Sequence, residues 1–231
     1  MNSFSRSFFL KASFCIAFTV FFSSCSDENA LEAEINRIPV TIDIDRFDLK
    51  FYNATPEEYI ELKKSYPYLF PNQFPDSIWV KRQRDSIQTL LHAEIKKVYP
   101  SLDPVKEELV SLYKHIKYYF PQIQDPHVVT VVNNVDYQSK TIFTDSLLII
   151  SLDTYLGSKN PLYEGIPKYI VQDMEFAYMT SHIIDELGNA LVKSPVKRTL
   201  LGQMIYYGKK LYLKDLMLPQ TSDAIKISYS Q

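Results

Sequence analysis

Tyr169-Ile-Val-Gln-Asp-Met-Glu-Phe-Ala-Tyr-Met-Thr-Ser-His-Ile-Ile-Asp-Glu-Leu-Gly-Asn-Ala-Leu-Val-Lys193 is the stretch around which the rest of the chain has to pack. At about 100° per residue, Phe176, Met179, Ile183, Leu187 and Ala190 fall on one stripe. Ile170, Met174, Ala177, Ile184 and Leu191 fall beside it, so the spacing predicts a long helix that is buried on most sides. Its remaining face gathers Glu175, Tyr178, His182, Asp185, Glu186 and Asn189 at spacings of three and four, where side chains touch.

An irregular loop from Ser158 to Pro167 precedes this helix, and Thr141–Leu152 before it is rich in β-branched and aliphatic residues. His127–Val132 has the same character, and the two runs read as the sheet. Leu147–Ile150 is expected to be buried on both faces. Asp103-Pro104 opens a helix that runs to Tyr119. Asp76 caps an earlier one, from Ser77 to Val98, with which it forms a hairpin. His92 and His115 lie among charged neighbours on these helices and read as surface residues. Thr55-Pro-Glu-Glu58 starts a further helix with a capping box. Tyr66–Pro75, broken by prolines, reads as an aromatic connection over the surface.

Val40–Tyr52 alternates apolar and polar residues, which predicts a strand or a strand pair. Asp43, Asp45 and Asp48 then form its wet face, since the Gly and Glu of a calcium loop are missing. On the other side of the central helix, Val196–Leu213 predicts a second helix carrying Leu200, Leu201, Met204, Ile205, Tyr207 and Leu211. Gly202 and Gly208 in it suit close helix packing.

The N-terminus is a targeting segment. Arg6 and Lys11 precede the apolar run Ala12–Phe22, which is too short to span a bilayer, and Ser23-Ser24-Cys25 follows. Phe22-Ser-Ser-Cys25 reads as a bacterial lipobox, with residues 1–24 removed and Cys25 acylated. Residues 25–36 form an acidic tether, and 37–231 a single α+β domain. Cys15 lies in the removed segment, so no disulfide is available. Without Arg6 and Lys11 the net charge moves from -2 to -4, which gives no electrostatic reason to expect nucleic acid. The membrane, through Cys25, is the one partner these residues imply, and no cofactor motif is present.

A buried helix with an inward polar face invites comparison with the zincins, but H-E-x-x-H fails in both directions around His182. Ile183 stands where the general base belongs and Glu186 where the second ligand belongs. Tyr178, His182, Asp185 and Glu186 therefore read as the relic of a site. His182 is then a core histidine bonded to Asp185, Glu186 or Glu175. The alternative is a metal-dependent peptidase that uses His182 and Glu186 with a distant third ligand such as His127.

Arg46-Phe-Asp48, Ile150-Ser-Leu-Asp-Thr-Tyr-Leu-Gly157, Pro167-Lys-Tyr-Ile170, Gly202-Gln-Met-Ile-Tyr-Tyr-Gly-Lys-Lys-Leu-Tyr212 and Leu218-Pro219 follow the lipobox in order. In these the chain resembles the GldB gliding-motility lipoprotein family over nearly all of its mature length. The resemblance implies a non-catalytic protein lipid-anchored in the cell envelope, at the periplasmic face or the cell surface. It also implies work with the gliding and type IX secretion machinery, and a degenerate zincin-like peptidase fold of small sheet and buried central helix. Family members continue past Ile225–Gln231, so a C-terminally shortened member is expected, with the apolar stripe of its last long helix left uncovered and inviting association.

Overall fold

Three strands too short to stand alone are held in one parallel array, and a fourth closes its edge. β1 (Asp43–Asp45) pairs with β2 (His127–Val131), and β2 pairs with β4 (Leu147–Ser151), both in parallel. β3 (Thr141–Phe143) runs antiparallel on the far side of β4. The computed structural model that shows this describes residues 26–144 and 146–228, so the signal segment and Cys25 lie outside the described residues. The chain divides after Pro39. The first unit contributes helix α1 (Ser26–Ile35), so the expected tether is helical over those residues.

The two inner strands, β2 and β4, are buried on both faces, as parallel pairing favours. Val128, Leu148 and Ile150 enter the larger core with Leu91, Leu109, Ile116, Ile183 and Leu187. Val129 turns the other way, into a second cluster with Phe47, Phe51, Tyr59, Tyr66 and Phe70. Leu148 and Ile150 are fully buried and Ile149 nearly so, as expected, whereas Leu147 at the start of the run is half-buried. The Thr141–Leu152 run is not one strand. It folds back at 144–147, where the Thr144 N–H donates to the Leu147 carbonyl.

Other expected elements are broken as well. Strand pairing ends at Asp45, and the chain turns into helix α2 (Phe47–Asn53), because Phe47 and Phe51 one turn apart both reach the second cluster. Asp48 is buried rather than wet. Its carboxylate takes Arg46 in a two-point ion pair (2.9 and 2.7 Å) and accepts from the Thr130 hydroxyl at 2.6 Å. Asp45 is likewise engaged, by Lys50 and the Tyr66 hydroxyl. Helix α3 (Pro56–Ser65) has the expected Thr55/Glu58 capping box. The aromatic connection after it does run over the surface, with Tyr68 and Phe74 exposed, but it anchors inward through Tyr66 and through Phe70, which is buried among Phe47, Phe51, Tyr59 and Trp79. The helix expected over 77–98 is two, α4 (Asp76–Gln83) and α5 (Ser86–Val98), because Asp85 caps a new start by accepting from the Ile87 N–H. Helix α6 (Asp103–Tyr119) matches its prediction.

The central helix is also interrupted. Lys168–Val171 forms a short helix, α7. Glu175 is extended, Phe176–Tyr178 makes one 3-10 turn, and α8 runs from Met179 to Leu191. Apolar spacing continues across the break, but the backbone does not. The Met174 carbonyl accepts from the N–H of Gly157, a residue at φ 102°, where only glycine is unstrained. α8 buries Met179, Ile183, Ile184 and Leu187 against the sheet and α6, as a central helix should.

Helix α9 (Leu200–Met217) crosses α8 at Gly188, where an added Cβ would come within 3.1 Å of the Lys210 side chain. The expected roles of Gly202 and Gly208 fail. Gly202 belongs to the Thr199 cap, and a Cβ at Gly208 would meet nothing. Leu200, Leu201, Met204 and Ile205 are all more than half exposed, so the stripe is uncovered. A short helix, α10 (Asp223–Lys226), ends the described chain.

Candidate functional site

The polar face of α8 is filled from within. The Tyr155 hydroxyl lies 3.0 Å from His182 Nδ1, and His182 Nε2 lies 3.2 Å from Asp173 Oδ2. Lys140, just before β3, completes the chain on the other Asp173 oxygen. Burial pushes the His182 pKa down against the pull of Asp173, so the ring is neutral. Burial also drives the Tyr155 hydroxyl well above its ordinary range. Tyr155 therefore keeps its proton and donates to Nδ1, and Nε2–H donates to Asp173. Burial opposes the Asp173 charge, but the bonds from His182 and Lys140 outweigh it and hold this carboxyl below its usual range.

These partners are not the expected ones. Glu175 accepts from Ser158, and Asp185 accepts from Lys214 at 2.8 Å. Lys214 also donates to the Lys226 carbonyl and is only 4% exposed. Tyr178 stacks beside His182 with ring centroids 6.3 Å apart, while half-buried Glu186 joins neither network. Of Tyr178, His182, Asp185 and Glu186, the fold brings only the first two together. With both ring nitrogens of His182 engaged, no lone pair faces outward for a metal. His127 opens β2, 3.9 Å from Asp45, and among the described residues no group of three His, Cys, Asp or Glu is placed to hold an ion. The peptidase triple is not assembled, and the zincin-like expectation finds no support. The network ties the start of β3 to α8, which is a structural task.

A second polar constellation lies at the carboxyl ends of β2 and β4, where parallel sheets commonly present ligand sites. Asp153, fully buried just past β4, accepts from the N–H of Asn133 at 3.0 Å and of Val135 at 2.7 Å. Asn134 and Val135 have φ of 53° and 56°, and the N–H groups of Asn133 and Val135, on either side of Asn134, converge on the carboxylate as in an anion nest. A β-branched residue in that region is strained, and Asp153 holds it there. Burial raises the Asp153 pKa despite these bonds.

Beside this loop is a cavity of about 320 Å³ between the second face of the sheet and α2, α4 and the aromatic connection. Its walls include Phe47, Phe51, Phe70, Trp79, Val131 and Ile149, and its polar residues include Arg82, His92 and Asp48. Arg82 donates to the Val132 carbonyl at 3.1 Å and lies over the Trp79 ring, 5.9 Å from its centroid. His92, 6% exposed, stacks on Tyr52 at 4.0 Å. Burial lowers its pKa to about 4. His115 is buried as well, with Nδ1 2.9 Å from the Ser111 carbonyl. Both histidines thus depart from the surface placement expected of them. None of Trp79, Arg82, His92 or Asp153 was singled out by sequence as a site. The one available signal was an aromatic run, Tyr66 to Trp79, followed three residues later by an arginine.

The sequence pattern of the family described as gliding motility protein GldB matches residues 28–231. No curated protein and no solved structure matches the chain.

Proposed function

This chain belongs to the GldB gliding-motility family, and on that premise we propose that it is an acylated envelope protein with a non-catalytic role. In this reading it assembles or stabilises the motility apparatus and the type IX secretion machinery coupled to it. The observation that carries the reading is the closure of the α8 face. His182, Asp173 and Asp185 each spend their polar atoms on Tyr155, Lys140, Lys214 or one another, leaving no activated base or nucleophile open to a substrate. The Phe22–Cys25 box supports attachment at Cys25, on the periplasmic face or at the cell surface. A single acyl chain holds a protein only marginally, whereas the several chains of a mature lipoprotein hold it firmly.

The test is complementation of a null strain with three alleles. Wild type and His182→Gln are expected to restore gliding. Cys25→Ala is expected to lose palmitate label, leave the membrane fraction and fail to restore gliding. Retained label in Cys25→Ala overturns the anchor. Loss of gliding in a His182→Gln protein that melts like wild type overturns the non-catalytic role.

A further inference from the structure

We propose that the cavity walled by the aromatic connection, α2 and the sheet is a binding site for a small organic acid, with a single carboxylate on Arg82 and an apolar body among the aromatic rings. Volume comes first. At about 30 Å³ per water of liquid, 320 Å³ equals about ten waters, room for a ligand of ten to twelve non-hydrogen atoms. That is the small end of the range of about 300–1,000 Å³ typical of ligand pockets.

Wall chemistry sets the body of the ligand. Phe70 packs edge to face on both Phe47 and Trp79, Phe51 stacks on Phe47, and Val131 and Ile149 line the sheet side. Such walls favour an aliphatic or aromatic body.

The head group follows from charge. Arg82 is the cavity's unmatched cation. Its bonds go to the neutral oxygens of Val132 and Asn133, and it has no ion pair among the described residues. Asp153 is near enough to favour its charge, but that carboxylate is committed to backbone N–H groups. Asp48 is neutralised by Arg46. A guanidinium in this position has donors to spare, in the planar fork that suits a carboxylate. Two further buried groups are unpartnered, Trp79 Nε1 and His92 Nδ1. Both atoms are closed to solvent, so the head group rests on Arg82.

Trp79 is the chain's single tryptophan, so its fluorescence reports occupancy directly. The probes are octanoate and 3-phenylpropanoate, both of about the required size, with octanol and octylamine as controls for the body alone. Each is titrated below its micellar concentration, with calorimetry in parallel. Saturable binding of the acids is expected, at least about tenfold tighter than octanol, since a hydrogen bond to a charged group is worth that factor. Arg82→Gln should remove the preference while octanol binding stays unchanged. Val131→Trp should abolish binding of every probe. Where a variant fails to melt cooperatively, the ranking of the four probes on wild type decides alone. No saturation by either acid, or octylamine binding as tightly as octanoate, overturns the site.

Discussion

His92 makes the structure sensitive to acid in a calculable way. Its pKa is 6.5 when unfolded and about 4 in the fold, chiefly because burial disfavours the imidazolium, with Asp48 pulling up and Arg46 pushing down. The unfolded chain therefore binds a proton between these values that the native chain refuses, and stability falls as pH drops through that window. At 1.36 kcal/mol per pH unit the ceiling is about 3 kcal/mol. The ring forms part of a cavity wall that water reaches, which trims the expected loss between about pH 7.5 and 4.5 to about 2 kcal/mol. His92→Phe keeps the stack on Tyr52 and removes the titration. Urea unfolding of both proteins across this range cancels the other titrating groups. The wild type should lose about 2 kcal/mol more than the variant. Parallel stability curves would refute both the buried neutral imidazole and the reasoning from it.

Two other expectations follow from packing. Asp153→Asn puts an amide where three N–H···O bonds converge beside the strained Val135, and should cost about 3 kcal/mol in urea unfolding; a change under about 0.5 kcal/mol would mean the nest does not hold the loop. Ile205→Glu, on the half-exposed stripe of α9, should lower hydrophobic-dye binding and self-association while leaving stability within about 0.5 kcal/mol, and unchanged dye binding would show that the stripe is not the sticky surface.

Signals that close within a few residues were readable in the sequence. Thr55, Pro56 and Glu58 make their cap locally, and Asp103-Pro104 starts α6 in the same way. Misreadings arose where a periodic pattern ran across a backbone break. Asp173 sits in the apolar rhythm of the central helix, yet its carboxylate is drawn out to Lys140 and His182, and the helix restarts only at Met179. Asp43, Asp45 and Asp48 alternate like a strand, but Asp48 is fixed by Thr130, 82 residues away. His92 looked solvated because its helix neighbours are charged, whereas Tyr52 covers it from another element. The cavity was invisible for the same reason, its walls running from Phe47 to Ser151. The closed state of the α8 face was half legible. The failed motif was plain, but Tyr155 and Asp173 as partners of His182 were not.

The 82 residues between Asp48 and Thr130 also set an order of events. Closing so long a loop costs about 4 kcal/mol before any contact repays it. During synthesis Phe47, Phe51 and Phe70 emerge first, then wait for β2, for several seconds at ~5–20 residues per second. Meanwhile their rings have no sheet to cover, and a holding chaperone would find its target there. Once docked, the segment from Val40 to Gln83 is attached through the short strand β1, the smaller cluster and Ile42 in the larger core. Its own cluster is the smaller of the two, which makes it a unit that sub-global unfolding can release. The cavity it roofs can admit solvent while the helices of the larger core stay in place.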